Sequence, residues 1–180
     1  MTKPDKVIRY YDGDIHDGIV HPGHIVPGDD DITRGCVVDV ETTGLDPSRD
    51  KITEIGLINF DFLWSTGQVV QVYEPLDFLQ DPGEPLSEEI IALTHLTDEM
   101  LKGHAIPWEE VDIQFAQANI IIAHNAKFDR AFIRKKSKVS DSNVWGCSKA
   151  DVNWRSMGHV CNHLQHLCND MGFYYDGHRS

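Results

Sequence analysis

Hydrophobic positions along this chain fall into runs with distinct rhythms, and the runs begin only after residue 34. Residues 1–34 are rich in Asp, Gly and Pro and hold no sustained period of either kind. They read as an irregular N-terminal extension, partly extended and placed to pair with a sheet edge. From residue 35 the pattern is organised. The β-branched run 36–40 predicts a buried strand, 52–60 a second, and 68–73 alternates as a third. The link 61–67 is short enough for an antiparallel hairpin.

Helical signals follow. Ser87 precedes Glu88 and Glu89, a cap followed by first-turn acids that suit the helix dipole. Thr97-Asp98-Glu99 starts a short helical segment. Pro107 opens a helix running to about residue 118, with proline in its first turn. Ile120-Ile121-Ile122-Ala123 is wholly apolar, as in strands buried on both faces of parallel sheets. His124-Asn125 turns the chain into a helix over 127–136. A strand near Val144-Trp145 and a helix over 157–171 complete the pattern. The expected fold class is α/β: a mixed sheet of three antiparallel strands and then parallel strands, flanked by helices.

Composition narrows the function classes. At 180 residues the chain builds one sizeable core, with 41% hydrophobic and 25% charged residues near globular averages. A net charge of −13 argues against a protein that coats nucleic acid through general phosphate attraction, but not against an enzyme meeting phosphates at one metal-bearing site. Four cysteines are too few for a disulfide scaffold. The start of the chain has no apolar leader and no run approaches a membrane span, so the expected setting is cytoplasmic, with no membrane partner.

Chemistry concentrates in two runs. In Val37-Val38-Asp39-Val40-Glu41-Thr42-Thr43-Gly44-Leu45, strand alternation puts the Asp39 and Glu41 carboxylates on one face about 7 Å apart. Two hard oxygen donors at the end of a buried strand suit divalent cations. In Ala123-His124-Asn125-Ala126-Lys127-Phe128-Asp129, the acid sits in the first turns of a helix leaving a strand tip, where open α/β sheets place their sites. Asp129 is therefore a candidate third ligand.

Together these runs resemble two motifs of the DEDD 3′–5′ exonuclease family, which has an RNase H-like fold. Asp39 to Leu45 is similar to its first motif and His124 to Asp129 to its second, in the same order. Thr94 to Leu101 and Trp145-Gly146-Cys147-Ser148 resemble segments of the same group. The resemblance covers residues 35–180 and is to the His-type branch, which includes the proofreading exonuclease subunits of bacterial replicative polymerases. Gly177-His178-Arg179-Ser180 looks like the start of the third motif; its aspartate would fall at position 183, past the last residue of this sequence. The 35–180 domain therefore lacks that acid and the helix carrying it, either because the chain continues beyond Ser180 or because the protein has no such ligand.

The resemblance implies a metal-dependent 3′–5′ exonuclease that releases nucleoside monophosphates from single-stranded DNA ends with two Mg²⁺ or Mn²⁺ ions. Asp39, Glu41 and Asp129 would hold metal, and His178 would act as general base. Thr42, Thr43 and Leu45 would line the pocket of the 3′-terminal nucleotide, while His124, Asn125 and Phe128 would face its sugar and the next base. Core packing is the competing role for Leu45 and Phe128. A polymerase or repair complex is the expected partner. An exoribonuclease and a non-catalytic nucleic-acid-binding or polymerase-docking module are the alternatives.

Two side-chain groups remain. Arg130, Arg134, Lys135, Lys136 and Lys138 lie close beyond Asp129, where they serve either as a solvated face or as phosphate attraction. His159, His163 and His166 have a zinc-compatible helical spacing with Asp170 continuing the stripe. Val160, Leu164, Leu167 and Met171 would form the core face of that helix and leave the histidines beside it.

Overall fold

The computed structural model describes residues 31–173 and, by backbone, two two-residue strands before them. Those strands, β1 (Ile15–His16) and β2 (Ile19–Val20), pair with each other in a separate antiparallel ribbon. The main sheet is built on β3 (Ile32–Thr42), β4 (Ile52–Leu63), β5 (Val69–Val72), β6 (Leu76–Leu79), β7 (Ile120–Ala123) and β8 (Val144–Cys147). Its order is β5-β4-β3-β7-β8, with β6 also pairing β4. β3, β4 and β5 are antiparallel, while β7 and β8 join parallel to β3. The expected mixed RNase H-like sheet is present.

The strands are longer than the apolar runs that announce them. β3 starts at Ile32, because pairing with β4 extends to Leu63 and polar Arg34 is accommodated there. The Arg34 guanidinium donates to Asp61 (Nε–Oδ1 2.7 Å) and lies 4.4 Å over the Tyr73 ring. A break at residue 34 therefore falls inside a strand. Gly35 faces Phe60 across the pair, and a Cβ there would come within 2.4 Å of the Phe60 ring. β6 was not expected: its residues 76–79 are too few to show a period, and only pairing with residues 54–57 of β4 makes them a strand.

The helices are α1 (Glu88–Thr94), α2 (Asp98–Leu101), α3 (Trp108–Gln117), α4 (Ala126–Ile133), α5 (Lys138–Ser142) and α6 (Leu164–Asp170). Ser87 and Thr97 cap α1 and α2 as their sequence context predicts, accepting from the Ile90 and Met100 amides. Pro107 occupies the cap position of α3 rather than its first turn. α4 stops three residues early, since residues 134–137 fold into a turn whose amides close on Phe132 and Ile133 carbonyls. α5 then forms as a separate helix capped by Ser137.

The largest correction is at the C-terminal side. A helix over 157–171 is not formed; only α6 is helical. Gly158 adopts φ +97°, and turns at Asn153 to Gly158 occupy the preceding stretch. Leu167 is buried, while Val160, Leu164 and Met171 are exposed, so the anticipated core stripe reduces to one residue.

α3 and α4 cover one sheet face, where Phe115, Phe132 and Ile133 join Val38, Val40, Ile121 and Ala123 in the main core. Ile120 and Ile122 on the other face of β7 are only half-buried, which corrects the expectation of a strand enclosed on both sides. Leu86, Leu96 and Leu101 form a smaller cluster beneath α1 and α2. Ile121 is fully buried between β3 and β8, so Ile121→Ala removes apolar contacts at the sheet centre. We expect a loss of about 2–4 kcal/mol in urea unfolding, with the slope of the transition unchanged.

Candidate active site

β3 alternates sharply at its carboxyl end. Val38, Val40 and Thr42 turn into the core, whereas Val37, Asp39 and Glu41 lie on the more open face. β7 pairs β3 only as far as Val37, leaving the β3 edge beyond it without a strand neighbour on that side. The backbone N–H of Val40 needs an acceptor there. Asp129 supplies it: its Oδ1 lies 3.3 Å from the Val40 nitrogen. Val40 stands between Asp39 and Glu41, so this one bond seats the third carboxylate beside the first two.

The local backbone makes that reach possible. Asn125 takes a left-handed conformation (φ 89°, ψ 45°), which asparagine tolerates better than most residues, and turns β7 into α4. Its carbonyl accepts from the Phe128 amide at 2.8 Å. Asp129 follows on the inner side of α4 and is only 2% exposed.

The resulting charge density is high. Burial pushes the Glu41 carboxyl up to about 7, and the neighbouring Asp39 and Glu54 charges push the same way. Asp129 also rises to about 7, chiefly through burial and then through Asp39, although the Val40 amide and its own backbone favour its charged form. Glu54 sits directly across from Glu41 in the β3–β4 register and is fully buried. Sequence reasoning passed over it. Its signal was an acid at an interior position of the otherwise apolar run 52–58, a placement that costs much unless something uses the charge.

Other anticipated residues take varied places. Thr42 Oγ1 donates to the Gly44 carbonyl (2.6 Å), and Thr43 pairs with Lys51 through backbone and hydroxyl. Both shape the turn after β3. A Cβ at Gly44 would come within 2.5 Å of an Asp50 carboxylate oxygen, so the turn needs glycine there. Leu45 is 84% exposed at the tip, which excludes core packing as its role. Phe128 packs partly against the core, its ring 5.0 Å from Phe132, and Asn125 is exposed.

His124 is differently engaged. Its Nε2 lies 2.9 Å from the Asn162 carbonyl and its Nδ1 3.0 Å from Ser148 Oγ. Only an Nε2–H can serve the carbonyl, so Nδ1 accepts from the serine. Both ring nitrogens are therefore occupied within the protein. Burial lowers the imidazole, with nearby Lys149 adding to the effect. His178 lies outside the described residues.

Of the basic run, Arg130 and Arg134 approach the same Asp141 carboxylate (3.8 and 3.6 Å), which diminishes their pull on phosphate. Hydrogen bonds from Ser48 hold the Asp46 carboxyl, in the turn after Leu45, below its usual range, with Lys135 adding a smaller effect. His159 precedes α6 and pairs with Asp170 (3.0 Å), while His163 sits at the helix cap; the i, i+4, i+7 stripe is thus not formed.

Three acids on the carboxyl end of a mixed sheet, with a fourth behind them, can be matched against known proteins. A profile of the RNase T exonuclease family matches residues 36–180. The chain belongs to this exonuclease family. The exonuclease domain is 39% identical over 102 residues to the PolC-type DNA polymerase III of Lacticaseibacillus paracasei and 42% over 101 residues to that of Listeria innocua. Each alignment takes in 54% of this chain, which spans about 6% of the polymerase's length. Among solved structures, exonuclease X in complex with 5′-overhanging duplex DNA superposes with a TM-score of 0.56 at 22% identity, covering 81% of both chains. The zinc-bound E. coli exonuclease I–single-stranded DNA complex gives 0.64 at 17% identity, covering 82% of this chain and 37% of that one. These two likenesses establish the shared fold. No helix among the described residues of the exonuclease domain is long and apolar enough to cross a membrane.

The raised carboxyls set a pH dependence. Asp129 holds its proton to about pH 7 when folded but loses it near 3.9 when unfolded, so its contribution to stability falls as pH rises between those values. Asp129→Asn keeps an acceptor for Val40 and removes this loss. In the absence of divalent cations we expect the variant to melt roughly 2–6 °C above the parent at pH 8, with the gap shrinking below about pH 7 and closing only below about pH 3.9. A gap that persisted at low pH would mean that charge is not its source.

Proposed function

We propose that the domain is a divalent-cation-dependent 3′–5′ exonuclease that removes nucleoside monophosphates from single-stranded DNA ends. The observation that carries the reading is the convergence of Asp39, Glu41 and Asp129 through the Asp129–Val40 bond. Glu41 and Asp129 are costly to ionise, first because they are buried and then because Asp39 is close, and a bound cation would offset that cost. Among the described residues no three acidic, His or Cys side chains close around one ion. The donors at this site are carboxylate oxygens, which suit hard ions such as Mg²⁺ and Mn²⁺ rather than a zinc cage of Cys and His.

In this reading Asp39, Glu41 and Asp129 would hold the ions through their carboxylate oxygens. A bound pair of ions supplies an activated water and charge stabilisation at the leaving 3′ oxygen. The protein's own contributions are orientation and proton handling. Asp129, fixed by the Val40 amide and the rigid turn at Asn125, keeps its carboxylate from swinging away. His178 would accept the proton of the attacking water, a near-neutral imidazole being suited to that transfer. Exposed Leu45, on a turn braced by Thr42 and Thr43, offers an apolar surface to the terminal base. His124 supports the neighbouring loop through both ring nitrogens. The relationship to PolC-type polymerases supports a proofreading or repair setting, and four free thiols suit a cytoplasmic one.

Oligonucleotides labelled at the 3′ end, incubated with Mg²⁺ or Mn²⁺, should lose their label as mononucleotide in the first turnover. Degradation from the 5′ end alone would overturn the polarity. Asp39→Asn should slow release at least about a thousandfold, a loss of several kcal/mol of transition-state stabilisation, with the far-ultraviolet circular dichroism unchanged. Full activity in that variant would place the chemistry elsewhere.

A further inference from the structure

Between β8 and α6 the chain folds into a loop whose construction the exonuclease reading does not use. His124, at the tip of β7, holds both of its ends: Nδ1 accepts from Ser148 and Nε2 donates to Asn162. Asn162 then closes the loop on itself, its Nδ2 donating to the Lys149 carbonyl at 3.1 Å. Trp154 is locked as well. Its Nε1 donates to the Ser148 carbonyl at 2.6 Å, and its ring meets His159 edge-on at 5.6 Å. His159 is in turn paired with Asp170 of α6.

The loop encloses a cavity of ≈ 520 Å³, open to solvent and lined in part by Lys149, Trp154, Arg155, Val160 and Asn162. That volume lies within the range of small-molecule and nucleotide sites. Its chemistry is specific: two cations, an orientated indole, an amide and an aliphatic wall. Only 16 of 180 residues are Lys or Arg, so two on one cavity matter in a chain of net charge −13. Asp151 also lines it, but one oxygen of that carboxylate accepts from the Cys147 amide at 2.7 Å, which ties the acid to the turn after β8. Val160 is 71% exposed and so open to contact from the cavity.

The loop leaves the same end of the sheet as the acidic site. Val37 of β3 lies opposite Ile122 of β7, and Ala123 opposite Cys147 of β8, so Asp39 and Glu41, His124 and the loop after Cys147 all follow the carboxyl ends of neighbouring strands. A polynucleotide leaving the acidic site toward β8 would meet positive charge and an aromatic surface.

We propose that the Lys149–Asn162 cavity is a second nucleotide-binding subsite, which takes one base against Trp154 and Val160 and its phosphate between Lys149 and Arg155. This rests on the nucleic-acid reading above and adds a place for the strand away from its 3′ end. Stacking on one aromatic ring is sequence-tolerant, and paired cations read the backbone, so the subsite binds a strand irrespective of base. His124 is a positioning residue in this scheme: it fixes the loop and touches no nucleotide.

The test is binding of fluorescein-labelled oligothymidylate, about ten nucleotides long, followed by anisotropy in EDTA so that no cations bridge DNA to the acidic site. Lys149→Glu with Arg155→Glu should weaken binding at least about tenfold and make the dependence of log K on log salt shallower by roughly one to one and a half. Unaltered affinity and slope in a folded double variant overturn the subsite. A second measurement needs no variant. Oligothymidylate carrying 5-iodouracil at internal positions, irradiated on the parent protein, should attach to Trp154, as mapped by peptide mass spectrometry. Adducts confined to residues outside 149–162 overturn the proposal.

The two readings fail separately. If Mg²⁺ produces no mononucleotide release from the same oligonucleotide, yet binding in EDTA depends on Lys149 and Arg155, the subsite stands without the nuclease. If release occurs and binding ignores both cations, the nuclease stands without the subsite.

Discussion

A single hydrogen bond, from the Val40 amide to the Asp129 carboxylate, ties the chemistry of this protein to its fold. It exists because β7 stops pairing with β3 at Val37, leaving a main-chain donor inside the protein that must find an acceptor. A neutral acceptor would satisfy the donor at lower electrostatic cost. The chain uses an acid instead, beside Asp39 and Glu41 and across the sheet from Glu54. Folding thus gathers charge where hydrophobic packing alone would exclude it, and the raised carboxyls of Glu41 and Asp129 record that conflict.

The rest of the architecture holds this strained group in place. α3 and α4 cover one sheet face through Phe115, Phe132 and Ile133 and fix the axis of the helix bearing Asp129. The left-handed turn at Asn125 sets where that helix begins. On the opposite strand, the long β3–β4 pairing holds Glu41 against Glu54, and the ladder shifts register just past that pair. A site under such electrostatic pressure requires rigid support, and here it comes from regular elements rather than loops.

His124 shows how one motif residue can change meaning between sequence and structure. Its position beside Asn125 suggested a hand on the terminal sugar. In the fold both imidazole nitrogens face protein, and the ring becomes the pin of a loop built from residues far along the chain. The same loop replaces the first half of the expected C-terminal helix. Helical spacing of Val160, Leu164 and Leu167 was real, but Gly158 and the Asn153 turn compete locally, and the Trp154 and His124 contacts favour the compact loop.

The placement of Asp39 and Glu41 on one face of β3, the turn at Asn125 and the caps at Ser87 and Thr97 were legible in the sequence, because each rests on a local rule: alternation along a strand, a turn-forming residue, or a side chain bonding an amide a few residues away. The approach of Asp129 to that strand, across 89 residues, rests on no local rule; its strand-tip position and the family resemblance only suggested it. The mixed sheet was legible too, since runs of two rhythms in order admit few topologies. Glu54, the strand β6, the sharing of Asp141 by Arg130 and Arg134, and the engagement of His124 were decided only by tertiary structure. Each depends on a partner many residues distant, through cross-strand register or a loop folding back. No local pattern encodes which distant group will arrive, so the burial and charge of those residues are set only when the whole chain has packed.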